Sequence, residues 1–174
     1  MVAMVVSTVS LLICAFKDTG PPIALLQAAL KSCWRNKAQV ANNCYLTVID
    51  YTKPVLTKRL WVLELATGKT VLSSHVSNAR NSGLLHATDF SNVEGSKMSC
   101  SGSFVTQATY QGRFGYSLRV QGLDAKNSNT LRRSIVFHSS LIPIYSQGCW
   151  MTMPSTNNKL IDLIKNGSVV YVAI

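Results

Sequence analysis

The sequence predicts a mainly β domain with one helix near its N-terminus and a second helix near its C-terminus. Three observations lead to this prediction: short runs rich in β-branched and aromatic residues, two segments with apolar residues at helical spacing, and turn signals between them. The 174 residues, 47% of them hydrophobic, suffice for one well-packed domain and are too few for two of ordinary size. We therefore expect a single domain over residues 21–174, preceded by a leader in residues 1–20.

The first half of this domain is expected to begin with a helix and continue as β structure. The segment IALLQAALKSCW follows Pro21 and Pro22 and has apolar residues at helical spacing. The next run, CYLTVIDY, is typical of a strand and stops at a Lys-Pro pair. RLWVLELATGKTVLSSHV then predicts a hairpin that turns at Thr67 and Gly68.

The second half is expected to contain a long loop, four strands and one helix. Residues 77–103 are dense in Ser, Asn and Gly and show neither period, which predicts a long ordered loop of the kind that often carries function. Strands are predicted at SFVTQATY, YSLRVQGL, SIVFH and SVVYVAI. PSTNNKLIDLIKNG predicts a helix that is capped by Ser155 or Thr156 and stopped by Gly167.

The charge balance favours an anionic partner. The chain has 17 Lys and Arg against 7 Asp and Glu, a formal net charge of +10. Nucleic acid, a membrane surface and an anionic cell-wall polymer all meet this requirement. The basic residues are scattered, however, and the adjacent pairs are limited to Lys58-Arg59 and Arg132-Arg133. Because there is neither a basic arm nor a basic helix, nucleic acid is not the expected partner.

The cysteines and the N-terminal run bear on the cellular compartment. The five cysteines form no C-x-x-C pair and have no histidines at zinc-ligand spacing, so no metal site is expected. Spacing leaves open a local disulfide between Cys33 and Cys44 in an oxidising compartment. The run MVAMVVSTVSLLICAF has the length of a signal-peptide core, although no basic residue precedes it and no clear cleavage site follows it. We expect export, and the alternative is a buried N-terminal strand.

One histidine and one cysteine in the C-terminal third have the surroundings that nucleophilic catalysis requires. His138 ends a predicted strand, and Cys149 follows Gly148, whose missing side chain permits a sharp turn and lets the amides of both residues face one oxyanion. No Asp or Glu lies within residues 125–161, so a backbone carbonyl, for instance that of Ser139, would orient the His138 ring. On residue types alone, a buried inert cysteine and a core histidine are the alternative.

Five stretches together resemble the murein L,D-transpeptidase catalytic domain, in particular the branch whose cysteine motif is Ser-Gln-Gly-Cys. They run from about residue 45 to the C-terminus and read YLTVIDYTKPVLTKRLWVLELATGK, ARNSG, FSNVEGSKMSCSGSFVTQATYQGRFGYSLRVQGLDAKNSN, RRSIVFHSS and SQGCW. The resemblance implies a β-sandwich-like fold and a cysteine acyltransferase that acts on peptidoglycan stem peptides in the bacterial periplasm or cell envelope. It also implies a monomer that needs no metal or organic cofactor and associates with a membrane at most through its leader.

The resemblance assigns roles to individual residues by position. Cys149 matches the nucleophile, His138 the general base and Ser139 the residue that orients the base. A second set, expected to shape the nucleophile loop and the oxyanion site, consists of Ser146, Gln147 and Gly148. A third set, with a weaker assignment to substrate binding, consists of Arg80, Asn81, Ser82, Gly83 and Arg133. For the arginines of this set, a solvated or structural cation is the favoured alternative.

The implied reaction is a two-step transfer through a thioester. Cys149 attacks the carbonyl that joins the third stem residue, a diamino acid, to D-Ala, and a neighbouring stem's amine then forms a cross-link; water as acceptor would give a carboxypeptidase. The connection SSLIPIY between the histidine and the cysteine motif is shorter than is usual in the family. A cell-wall-binding relative with impaired chemistry is therefore the alternative function.

Overall fold

The computed structural model describes residues 20–174 and confirms a mainly β fold with two helices. The predicted leader lies outside the described residues except for Gly20, so the expectations of export and of a buried N-terminal strand stay predictions. The helices are α1 (Ile23–Arg35) and α2 (Pro154–Ile164). Neither helix in the described range has the length and apolar content that a bilayer crossing requires.

The strands of residues 20–174 form one large sheet and one small one. In chain order they are β1 (Tyr45–Asp50), β2 (Leu60–Glu64), β3 (Thr70–Ser74), β4 (Asn78–Ala79), β5 (Gly102–Gly112), β6 (Gly115–Gly122), β7 (Val136–Ser139), β8 (Tyr145–Ser146), β9 (Trp150–Thr152) and β10 (Val169–Ala173). The 8-stranded sheet has the order β3-β2-β1-β10-β5-β6-β7-β9, and β4 pairs with β8. Short 3-10 turns lie at Lys37–Gln39 and Ala125–Asn127.

The large sheet curls until its two ends almost meet. The chain that leaves β3 reaches β9, where Ser77 N–H donates to the Met151 carbonyl at 3.1 Å and Met151 N–H donates to Ser77 Oγ at 3.0 Å. These bonds connect the β3 end to the β9 end and make the sheet a near-barrel. As a result, the segment after β3 is fixed against the strand that follows Cys149.

The two helices lie on opposite faces of the curled sheet, each over its own apolar cluster. α2 fills the inside, where Leu160, Ile161 and Ile164 are fully buried with Phe104, Phe137 and Trp150. Trp150 packs edge-on against Phe104, with ring centroids 5.0 Å apart. α1 covers the outside of β1, β2 and β10 through its own buried residues, Leu26 and Ala29.

Most predicted elements are confirmed, and the cap of α2 is wrong. The α2 N-cap is Met153, and neither Ser155 nor Thr156 caps the helix, because both lie within its first turn. Pro154 explains the earlier start, since its fixed φ and missing N–H suit the first helical position. The helix also ends earlier than the predicted stop at Gly167, because Lys165 is its C-cap and Asn166 already has a positive φ of 66°.

Two further expectations concern the loop and the cysteines. Residues 77–103 are largely irregular, as predicted, but include β4 and a single bridge between Phe90 and Ser99. The cysteines of the described residues are free thiols, Cys33 and Cys44 among them, so the disulfide that spacing left open is not formed in this structure.

Candidate active site

Neighbouring strands bring His138 and Cys149 to one edge of the large sheet. β7 and β9 run parallel, with Phe137 opposite Trp150 and His138 opposite Met151. Continuing this register places Cys149 beside Val136, two residues before His138 along β7. Because side chains alternate along a strand and Phe137 and Trp150 face the inner core, His138 and Cys149 share the outer face.

Two contacts fix the His138 ring. Nδ1 lies 2.9 Å from the Ser139 carbonyl oxygen. A carbonyl can only accept, so Nδ1 carries the proton and Nε2 keeps its lone pair. The Phe114 ring stacks on the imidazole with centroids 4.3 Å apart and an interplanar angle of 19°. The backbone of Ser139 therefore makes the contact that the sequence analysis expected of a base-orienting carbonyl.

The surroundings of His138 favour its neutral form. Burial lowers the pKa of His138 below 6.5, the Ser139 carbonyl opposes this by stabilising the charged ring, and the positive charge of Arg113 lowers it again. The Arg113 guanidinium lies 4.5 Å from the centre of the Phe114 ring, so arginine, phenylalanine and histidine are layered on one another. A neutral imidazole at neutral pH is the form that a general base requires.

The Cys149 thiol is protonated at rest and donates its hydrogen bond to a backbone carbonyl. Sγ donates to the Ser134 carbonyl oxygen at 3.5 Å. Burial raises the pKa of the thiol above 9.0, while a hydrogen bond from the Val136 backbone and the charge of Arg133 partly oppose this. The proton must therefore leave as the sulfur attacks.

The turn before Cys149 leaves the Cys149 amide open. Gly148 N–H donates to Ser146 Oγ at 3.1 Å, and the same hydroxyl donates to the Cys149 carbonyl at 2.7 Å. Among residues 20–174, the Cys149 amide has no hydrogen-bond partner. Only the Cys149 half of the predicted pair of oxyanion donors is therefore available, while Ser146 and Gly148 hold the turn together and Gln147 is exposed at its tip.

Gly148 is required by both its backbone angle and its neighbours, which leads to a stability prediction. Its φ is +124°, and an added Cβ would lie 2.7 Å from Ile135 Cδ1 and 3.3 Å from the Met98 carbonyl oxygen. We expect Gly148→Ala to lower the free energy of unfolding by about 3 kcal/mol, the sum of backbone strain and steric overlap. Urea unfolding followed by circular dichroism measures this loss.

Gly95 provides the matched control for this substitution. It also has a positive φ, +73°, but an added Cβ would meet nothing within 4 Å. Gly95→Ala is expected to cost about 1 kcal/mol, the strain of the left-handed conformation alone. Equal losses at the two positions would contradict the proposed crowding at the nucleophile turn.

The Arg-Asn-Ser-Gly loop is mainly a scaffold. Ser82 Oγ accepts from Ser99 N–H at 2.7 Å, and Asn81 Nδ2 donates to the Ser96 carbonyl at 3.0 Å. Gly83 has φ +109° where a Cβ would lie 2.3 Å from a backbone oxygen. Arg80 differs from these residues, because its side chain is exposed while its backbone N–H donates to the Ser146 carbonyl at 2.9 Å. The backbone of Arg80 is thus tied to the nucleophile turn, and its guanidinium faces solvent beside that turn.

Arg133 is committed to the backbone rather than open to substrate. Its two terminal nitrogens donate to the Ser91 and Met98 carbonyls. The guanidinium donates to loop carbonyls on both sides, which agrees with the favoured alternative of a structural cation, while a contact with a stem-peptide carboxylate stays a prediction. Its charge still acts on the site by lowering the pKa of Cys149.

The short connection between His138 and Cys149 is ordered by pairing. Ser140 N–H donates to the Thr152 carbonyl at 2.9 Å, and β8 pairs with β4 next to the Arg-Asn-Ser-Gly loop. Tyr145 Oη donates to the Leu84 carbonyl at 3.0 Å. Leu141 and Ile142, at the turn of the connection, are 80% and 71% exposed. The connection is therefore short but well anchored, with apolar side chains at its tip.

Sequence reasoning missed a buried arginine that supports the nucleophile turn. Arg59 is fully buried, has no acidic partner in the described residues, and donates to the Val76 and Lys53 carbonyls and to Asn78 Oδ1 at 2.6 Å. It thereby fixes the segment whose Ser77 hydroxyl donates to the Cys149 carbonyl. The Lys58-Arg59 pair resembles solvated charge in the sequence, and β2 is buried on both faces, so no alternation marked this position.

Together these residues supply the parts of an acyl transfer to sulfur: a thiol, a neutral base held in one tautomer, and an open backbone amide. Within residues 20–174, no group of three or more His, Cys, Asp or Glu side chains is arranged to hold a metal ion.

Comparisons with known proteins add the family. The model of the L,D-transpeptidase catalytic domain matches residues 19–173. Similar solved structures include an L,D-transpeptidase from Mycobacterium smegmatis (13% identity, 75% of this chain and 59% of that chain, TM-score 0.49). Another is Mycobacterium tuberculosis L,D-transpeptidase 1 (12%, 75%, 62%, TM-score 0.47), and a third comes from Stackebrandtia nassauensis (14%, 96%, 89%, TM-score 0.47). The chain thus covers 59% and 62% of the two mycobacterial structures, and no curated protein matches it.

Proposed function

Because the chain belongs to the L,D-transpeptidase catalytic-domain family, we propose that it is a cysteine acyltransferase acting on peptidoglycan stem peptides through a thioester on Cys149. The observation that carries the proposal is the placement of His138 and Cys149 on one face of two neighbouring strands. The hydrogen bond from Nδ1 to the Ser139 carbonyl supports the assignment of His138 as base, since it leaves Nε2 free to accept a proton.

The first step forms the thioester. His138 Nε2 takes the thiol proton as Cys149 Sγ bonds to the carbonyl carbon between the third stem residue and D-Ala. The negative charge that develops on the carbonyl oxygen is stabilised by the Cys149 amide, which has no hydrogen-bond partner among residues 20–174. When the tetrahedral intermediate collapses, the C–N bond breaks, and His138 returns the proton to the amine of the leaving D-Ala.

The second step transfers the acyl group to an acceptor. The side-chain amine of a neighbouring stem attacks the thioester carbon and loses a proton to His138. The new C–N bond forms as the C–S bond breaks, and His138 returns the proton to sulfur. With water as acceptor, the same sequence of events releases a carboxylic acid, which would make the enzyme an L,D-carboxypeptidase.

The pH dependence of acylation follows from the neutral thiol–imidazole pair. Protonation of His138 removes the base, and its pKa is below 6.5, so the acylation rate should rise with pH through that lower value and level off before neutrality. Single-turnover acylation by a carbapenem, measured from acid to alkaline pH, checks this. A rate that climbs only near the thiol pKa, above 9.0, would show that His138 does not act as the base.

The direct test of the proposed function is intact-mass detection of an acyl adduct. Incubation with a tetrapeptide donor or a carbapenem should add one acyl group to the protein, and peptide mapping should place it on Cys149. The free thiols Cys33 and Cys44 serve as internal controls, since nothing near them resembles the site. An adduct confined to those thiols, or none at all, would overturn the proposal.

A catalytically impaired wall-binding relative is the second candidate. It is favoured by the orientation of Sγ toward Ser134 and by the capture of the Gly148 amide by Ser146. This candidate predicts salt-sensitive retention on purified cell wall, equal for the wild-type and Cys149→Ala proteins, together with no release of D-Ala by either. Release of D-Ala by the wild-type protein alone decides for the enzyme.

The proposed substrate also sets the proposed location. Peptidoglycan lies outside the cytoplasm, so we infer export to the periplasm or cell envelope, directed by the leader in residues 1–20 and followed by action as a single-domain monomer. Cell fractionation and the mass of the mature N-terminus test the export, and size-exclusion chromatography tests the monomer. Retention of an intact chain in the cytoplasm would contradict this location.

A further inference from the structure

An open apolar groove lies beside α1, on the outside of the curled sheet. Its volume is about 1030 Å³, and its lining includes Leu30, Val40, Leu65 and Tyr171. Trp34 also lines the groove and is 70% exposed, so most of its large apolar ring faces solvent. The groove and Trp34 together form an apolar surface that the described part of the chain leaves uncovered.

Three cations border the groove. Lys31, Arg35 and Lys37 are among its lining residues, and the Lys37 ammonium lies 5.7 Å from the centre of the Trp34 ring. No Asp or Glu occurs in residues 20–49. The acid next to the groove, Glu64, accepts a hydrogen bond from the Thr67 hydroxyl at 2.5 Å. The groove therefore combines an apolar floor with a positive border.

We propose that this face of the protein, named here the α1 face and consisting of Lys31, Trp34, Arg35, Lys37 and the groove, docks on an anionic phospholipid membrane. The positive charge of this face is complementary to anionic headgroups. Tryptophan is enriched at the level of the headgroups in membrane proteins, and the groove can accept the upper part of an acyl chain. The uncharged N-terminal run MVAMVVSTVSLLICAF does not match this face as an occupant, since it offers no anion to three cations.

Docking through the α1 face leaves the candidate active site open. α1 packs on β1 and β10, whereas His138 and Cys149 lie at the β7–β9 edge. Two strands, β5 and β6, separate β10 from β7 in the sheet. The inference is thus independent of the proposed function, and a catalytically inactive protein should dock equally well.

Tryptophan fluorescence of the full chain provides a selective test. Of the three tryptophans, Trp61 and Trp150 are 4% and 0% exposed, so Trp34 is the one whose emission should respond to lipid. Vesicles of equal parts phosphatidylglycerol and phosphatidylcholine should shift the emission to shorter wavelength and protect it from acrylamide. Vesicles of phosphatidylcholine alone should do neither. Trp34→Phe should abolish the shift without changing the circular dichroism spectrum.

Two triple variants with the same net charge separate the α1 face from bulk charge. Replacing Lys31, Arg35 and Lys37 by Gln should weaken binding to the anionic vesicles on the order of 100-fold. Replacing the exposed Lys58, Lys126 and Lys159 by Gln should change binding less than about threefold.

Three results would overturn the proposal. Equal losses in both triple variants would assign binding to bulk charge, and no loss in either would assign it to the N-terminal run. A Trp34 that is already shielded from acrylamide without lipid would show that another part of the chain, or a second copy, covers the α1 face.

Discussion

Cys149→Ala is expected to remove D-Ala release and acyl-adduct formation together, with a fall in kcat/KM on the order of 10⁴-fold or more. The reason is chemical, because alanine has no sulfur with which to form the covalent intermediate. Alanine retains the backbone amide and the carbonyl that Ser77 and Ser146 hold, so the turn itself should persist. The readouts are D-Ala released from tetrapeptide stems and the intact mass after exposure to donor.

The other thiols are the controls for this substitution. Cys44→Ala removes an exposed thiol, and Cys33→Ala removes a half-buried one on the opposite part of the molecule. Both should retain D-Ala release within about twofold, as is usual for substitutions distant from a site. D-Ala release that persists in Cys149→Ala would exclude the proposed mechanism.

His138→Gln is the second substitution for which we expect a large loss of acylation rate. Glutamine cannot accept the thiol proton, so acylation should slow by about 10²-fold to 10⁴-fold. The residual rate should then depend on spontaneous ionisation of Cys149 and rise tenfold per pH unit toward the thiol pKa, above 9.0. In the wild-type protein, the acylation rate should instead rise with pH around the His138 pKa, which lies below 6.5. A rise that moves to the pH range of the thiol pKa indicates a lost base, which a merely structural defect would not produce.

Ser139→Ala is the matched control for His138→Gln. Ser139 contacts the imidazole through its carbonyl oxygen, which alanine also provides. The serine hydroxyl makes one long hydrogen bond, to the Phe114 carbonyl at 3.4 Å. The acylation rate and its pH profile should therefore stay close to wild type. A loss comparable to that of His138→Gln would mean that the hydroxyl, rather than the backbone, orients the base.

Local patterns were sufficient for most of the fold. The helical spacing of the residues in α1 predicts both its span and its buried face, and Leu26 and Ala29 are indeed fully buried. The α2 cap was wrong because hydroxyl residues and a proline compete for adjacent positions, and the proline decided the start. The strand order was out of reach, since the parallel pairing of β1 with β10 joins residues far apart in sequence.

The candidate site, like the fold, has features that local sequence patterns predict and features that depend on tertiary contacts. His138, Cys149 and the carbonyl of Ser139 lie within one short stretch, and strand and turn signals marked them as candidates. The parallel pairing of β7 with β9, which places His138 and Cys149 on one face, was not predicted. The capture of the Gly148 amide depends on a single side-chain orientation of Ser146, which no spacing records. Arg133 and Arg59 show a related limit, because composition counts an arginine as surface charge whether its guanidinium meets water or buried carbonyls.

The position of β10 affects when this protein can fold. The strand lies in the middle of the sheet, parallel to β1 on one side and antiparallel to β5 on the other, yet it consists of Val169–Ala173. The sheet cannot be completed during synthesis until those residues have left the ribosome. For that time the β1 and β5 edges lack their shared neighbour, and a chain in this state exposes unpaired strand edges to chaperones and to aggregation.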